Sequence, residues 1–147
     1  MASKTQDRIA RPLPSHHLRH PMTVNSFPVE TPNRGVTQAV VVGVILQIAM
    51  VGIGHAVPSL REMWGPVGTL ISLVVGVWAG WHVATSGSAV IWGAVAGGLG
   101  AFLGIALALI LGDVSTSLLL LGTASSVVAG VAGGVVTHML RRRSAAP

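Results

Sequence analysis

Cysteine and tyrosine are absent from this chain, and charge is scarce: Asp, Glu, Lys and Arg make up only 9% of its 147 residues. Without cysteine there is no disulfide framework, no thiolate metal site and no cysteine nucleophile. A soluble domain carries roughly a quarter charged residues, so this surface is not built for water. Acids are the scarcest of all: Asp7, Glu30, Glu62 and Asp113. Between Glu62 and Asp113 no charged residue occurs, a gap that no soluble helix bundle needs. Catalysis requires a positioned acid, base or nucleophile. The apolar stretches offer no acid or base but histidine, so the chain is expected not to be an enzyme.

What is present is apolar and small. Hydrophobic residues make up 51% of the chain, and 19 glycines sit largely inside the apolar runs, a habit of membrane helices. A bilayer core of about 30 Å takes about 20 helical residues. Four runs meet that length, at about 37–56, 66–83, 89–111 and 115–140. They are continuous and do not alternate at period two, which excludes a β-barrel. The predicted fold is an all-α integral membrane protein, four transmembrane helices in a compact bundle spanning 36–140. Thr37 is the expected cap of the first helix and Pro66 a first-turn residue of the second. Ser115 or Ser117 is expected to cap the fourth.

Residues 1–35 form a basic tail whose five prolines forbid a long helix. It lacks the apolar stretch of a secretory signal and is expected to be extended. Residues 141–147 form a second basic tail. Eight Lys and Arg flank the bundle at its two termini, against Arg61 alone between the spans. The positive-inside rule then puts both termini in the cytoplasm, in a bacterial inner membrane, with the basic tails touching anionic lipid head groups. Bases in this arrangement orient a membrane protein, so nucleic acid is not an expected partner.

The spans are ridged with small residues four apart. The second carries Ser72, Gly76 and Gly80. The third carries Gly93, Gly97 and Ala101 on one stripe and Gly100, Gly104 and Ala108 on another. The fourth carries Gly122, Ser126, Gly130 and Gly134. In lipid, close backbone approach and dispersion drive helix association, and glycine permits both. Two stripes on the third helix exceed what one neighbour uses, which points to a further protein partner. A repeat runs through the same residues. At one constant offset, Gly68, Ser72, Gly76 and Gly80 match Gly122, Ser126, Gly130 and Gly134, and Gly43 matches Gly97. That pattern fits two helical hairpins in the same orientation.

Polar groups at depth are few. Gln47, mid-span, is expected to hydrogen-bond a neighbouring helix. Proton-coupled transport leaves an Asp, Glu or His inside the membrane, and the first span holds Gln47 at that depth instead. His82 and His138 end the second and fourth spans on one side, with Trp78 and Trp81 nearby. They could bracket a haem or a chlorophyll-type pigment, and His16, His17 and His20 share their side. No cofactor is otherwise implied. The sequence reading is a non-catalytic accessory or structural subunit of a larger membrane complex, respiratory or photosynthetic. Its alternatives are a self-oligomerising pore, holin or small transporter, and a pigment- or haem-binding subunit.

Overall fold

The computed structural model describes residues 31–144, which are helical throughout apart from short turns. The four helices are α1 (Arg34–Ala56), α2 (Trp64–Trp81), α3 (Ser86–Ile110) and α4 (Thr116–Ser144). A 3₁₀ segment, Pro58–Met63, leads into α2. The membrane-length segments have 23, 24, 25 and 29 residues, the second counted with its 3₁₀ turn. All four are long and apolar enough to cross a bilayer.

Each boundary has a local cause. Asn33, not Thr37, caps α1: its Oδ1 accepts the Val36 N–H at 3.0 Å. The helix therefore starts three residues before the apolar run, with Arg34 in its first turn. Pro58 cannot continue α1, and the expected loop is instead wound as 3₁₀ helix. Pro66 falls in the first turn of α2, where its missing N–H costs nothing. Thr85 caps α3 by accepting the Ser88 N–H at 3.2 Å, so the helix starts at Ser86, three residues before the expected run. Gly112 ends α3 in the left-handed region at φ 76°. The Asp113 N–H reaches the Ala108 carbonyl at 2.9 Å and the Gly112 N–H reaches Leu109 at 3.1 Å, a glycine-terminated helix end. α4 runs on through Arg141, Arg142 and Arg143, so the basic C-terminal segment begins as helix.

In cross-section the helices form a diamond. α2 and α3 touch across its short diagonal; α1 and α4 each pack on both. Among the described residues α1 and α4 make no contact with each other. Size is sorted by depth: the largest fully buried side chains include only Val36, Val51 and Val75 among the hydrophobic residues. Ile45, Leu70, Ile110, Leu120, Leu121 and Val128 point outward and are exposed. Small residues inside and large aliphatics outside is the arrangement that lipid, not water, rewards.

One end of the bundle, here the tail end, gathers the start of α1, the α2–α3 turn and the end of α4. Asn33 Nδ2 donates to the His82 carbonyl there, and Arg141 Nη1 donates to the Val83 carbonyl at 2.5 Å. The other, far end holds the 3₁₀ segment and the α3–α4 turn.

Candidate functional site

The tail half of the bundle is closed by backbone meeting backbone. A Cβ on Gly76 or on Gly93 would lie 2.4 Å from the Gly130 carbonyl oxygen, and one on Gly97 2.7 Å from that of Ser126. Gly80 sits 3.1 Å, by the same measure, from the Cα of Gly134. Gly134 itself faces the Ala89 carbonyl. The second stripe of α3 meets α1: Gly100 lies against Gly43, and Gly104 against Gln47. Gly122 packs on Ile105. Both α3 stripes are thus used inside the chain. The surplus that pointed to a further partner does not exist, because α3 has two close neighbours on different faces. Gly133, which the four-residue spacing passed over, is as tight as Gly76 and Gly93, with its Cβ position 2.4 Å from the Leu73 carbonyl.

The repeat has a spatial counterpart. Gly76 lies on Gly130 and Gly80 on Gly134, so residues matched by the sequence offset touch one another. The contact is not reciprocal, however: a two-fold axis would turn Gly130 and Gly134 back toward α2, whereas their Cβ positions face Gly93 and Ala89 on α3.

Interior polar groups bond mostly to helix carbonyls. Gln47 is 3% exposed. Its Nε2 donates to the Gly68 carbonyl at 3.1 Å and to Ser72 Oγ at 3.4 Å. Ser72 Oγ donates in turn to the same Gly68 carbonyl at 2.9 Å. Thr137 Oγ1 lies 3.0 Å from the Val77 carbonyl and 3.1 Å from that of Gly133. The Gln47 amide orientation is dictated, since its oxygen could not face another carbonyl. Oε1 consequently accepts no hydrogen bond among the described residues.

Toward the far end the helices part and leave a cavity of about 460 Å³. Its floor comes from α1 and α3, with Gln47, Val51, Ala101 and Ala108 buried. Its rim comes from α2 and α4, where Thr69, Leu118, Leu121 and Ser125 are exposed. No charged residue lines it. Trp64 and Met50 separate it from a second, apolar groove of about 300 Å³ between α1 and the start of α2. The Trp64 indole N–H is buried without a partner and is pressed on the α1 backbone at Gly54.

A charged cluster caps the far end. Asp113, its side chain 5% exposed, holds Arg61 Nη2 at 2.8 Å and His55 Nδ1 at 2.7 Å. Arg61 Nε also reaches the Gly54 carbonyl at 3.4 Å. The cluster pins α1, the 3₁₀ segment and the α3–α4 turn together. Sequence reasoning placed these residues on one side without joining them. Opposite charges in two loops of a nearly uncharged bundle were the available signal.

At the tail end, His82 Nδ1 lies 3.0 Å from the Trp78 carbonyl, and the His82 ring covers Gly35. His138 is half-buried on α4. His16, His17 and His20 lie outside the described residues. Among the described residues no three His, Cys, Asp or Glu are grouped so as to hold a metal ion. Compared with protein-family models, curated proteins and solved structures, the chain matches none.

Proposed function

We propose that this chain is a non-catalytic accessory subunit of a larger assembly in a bacterial cytoplasmic membrane, with both termini in the cytoplasm. A respiratory or photosynthetic complex is the host class. The observation that carries the reading is where the ionisable groups lie. His55, Arg61 and Asp113 are tied together at the far end, and Arg141 at the tail end. Between those ends, among the described residues, the bundle interior presents hydroxyls, indole N–H groups and one amide, and no general acid or base. Activity by contact is what such an interior leaves open.

Orientation is supported by the same cluster. Arg61 is the one Lys or Arg between the spans, and Asp113 neutralises it. The tail end keeps Arg34, Arg141, Arg142 and Arg143, which favour the cytoplasmic face and its anionic head groups. A pore through a single copy is disfavoured, because Gly76, Gly93 and Gly97 meet Gly130 and Ser126 with no room between. Extraction in gentle detergent followed by native mass measurement tests the proposal. The expected result is a heteromeric particle several times the mass of the chain. A monomer or a single self-oligomer overturns it.

A further inference from the structure

We propose that the cavity at the far half of the bundle binds a neutral, membrane-dissolved molecule with an apolar chain and a hydroxyl or N–H group, whose hydrogen is donated to Gln47 Oε1. The inference rests on the membrane reading above and is independent of the accessory role.

Four features select this occupant. The cavity, about 460 Å³, falls within the roughly 300–1,000 Å³ of small-molecule sites. Its lining holds no charged residue, so an ion would lose its hydration without compensation. Gln47, 3% exposed, stands in the wall with its two donors engaged and its acceptor free. Oε1 has no donor among the described residues, and a guest with an O–H or N–H supplies one. Finally, the exposed rim residues belong to α2 and α4, so the cavity opens sideways toward lipid.

Depth separates this guest from ordinary lipid. Gln47 lies nine residues before the end of α1 at Ala56, about 14 Å along the axis at 1.5 Å per residue. A phospholipid held at the surface by its charged head group has only methylenes at that depth. A donor can reach Oε1 only on a molecule dissolved in the bilayer. Met50, unbranched and adaptable, lets the wall fit around a chain.

The cavity also draws its lining from both repeats. Gln47 and Ala101, Val51 and Ile105, Trp64 and Leu118, and Gly68 and Gly122 are matched at the offset of the sequence repeat, and all eight line it. Membrane proteins built from repeats place ligand sites at such an interface.

The test uses the full chain in phosphatidylcholine vesicles with two photoreactive probes: a diazirine-bearing long-chain alcohol, and the same chain ending in methyl. The alcohol is expected to label peptides containing Met50, Trp64 or residues 118–126, several-fold above the alkane. Gln47→Leu should lower alcohol labelling about three- to ten-fold, the worth of one hydrogen bond, and leave alkane labelling unchanged. Leu121→Trp, at a rim position 71% exposed, should lower labelling by both probes. Equal labelling by alcohol and alkane in the unaltered chain overturns the proposal, as does alcohol labelling that survives Gln47→Leu. Labelling confined to other peptides overturns it too. Flotation of the vesicles tests the membrane reading separately: a chain that fails to float with lipid sinks that reading whatever the labelling shows.

Discussion

Gly130 is where three helices meet, and adding one methyl group there tests the packing directly. The Cβ of Gly130→Ala would lie 2.2 Å from the Gly93 carbonyl oxygen, 3.0 Å from its carbon and 3.3 Å from Gly97 Cα. All three are backbone atoms, so no side chain can rotate away. Ordinary contact begins near 3.4 Å, so α4 must retreat from α3 by roughly 1 Å. Retreat of that size forfeits a quarter to a half of each dispersion contact along the crossing, and the Gly76 contact with Gly130 is disturbed with it. The expected cost is about 1–3 kcal/mol, the usual range for an overfilled core.

Helix propensity offsets little of this. Alanine is worth about 1 kcal/mol over glycine in water. In lipid, however, the separated helix keeps its backbone bonds and stays helical, so both states gain alike. Gly52→Ala is the control, because its Cβ would meet nothing within 4 Å. The assay is unfolding in mixed micelles titrated with a denaturing detergent, followed by tryptophan fluorescence. If Gly130→Ala and Gly52→Ala agree within about 0.5 kcal/mol, α4 does not cross α3 at this point.

Other positions give independent tests in the same titration. Arg61→Gln leaves the buried Asp113 carboxylate with His55 alone and should cost about 2–3 kcal/mol. Asp113→Asn should cost only about 1 kcal/mol, because Arg61 and His55, 39% and 48% exposed, return to water; the reverse order would refute the burial argument. Thr137→Val removes a fully buried hydroxyl from the Val77 and Gly133 carbonyls and should cost about 1 kcal/mol, whereas an unchanged midpoint would mean the bond contributes nothing. A C-terminal fluorescent-protein fusion should glow in cells while an alkaline phosphatase fusion stays inactive, and active phosphatase would invert the topology.

The four helices were legible because an unbroken apolar run of membrane length has few other readings. Their edges were less so. Asn33 precedes Arg34 and Gly35, which look unlike a helix start, yet the cap geometry at Asn33 carries α1 through both. The glycine positions were legible as stripes four apart, since that spacing lines one helix face. Which stripe meets which helix was not, because it depends on the order of helices around the bundle. Gly133 falls off the strongest stripes and was found only by its proximity to Leu73, and Gly43, marked by the repeat, showed its contact with Val75 only in the structure. The Asp113 cluster joins loops that are distant in sequence. The cavity has no linear signal of its own, although Gln47, its polar element, stood out as a mid-span amide.

The cavity and the glycine crossing follow from one broken symmetry. A two-fold relation between the α1–α2 and α3–α4 hairpins would match every α2–α3 contact with one between α4 and α1. The first pair touches and the second does not. At the tail half, matched glycines let α2 and α4 close on each other, Gly76 on Gly130 and Gly80 on Gly134. At the far half the matched residues are unlike: Trp64 answers to Leu118, and Gln47 to Ala101. The indole lies on Gly54 and the amide bonds Gly68, so both tie α1 to α2 at this depth, and Leu118 and Ala101 offer no such tie between α3 and α4. The difference between Gln47 and Ala101 also gives the cavity one amide acceptor beside the hydroxyls of Thr69, Ser125 and Ser126, where a symmetric site would have two amides or none. A guest with one donor therefore finds an amide oxygen on the α1 wall alone. Ala101→Gln, which supplies the missing amide, is expected to relax that orientation and spread photolabelling from the α1 wall to the α3 wall; labelling that stays on α1 would mean that shape, not Gln47, orients the guest.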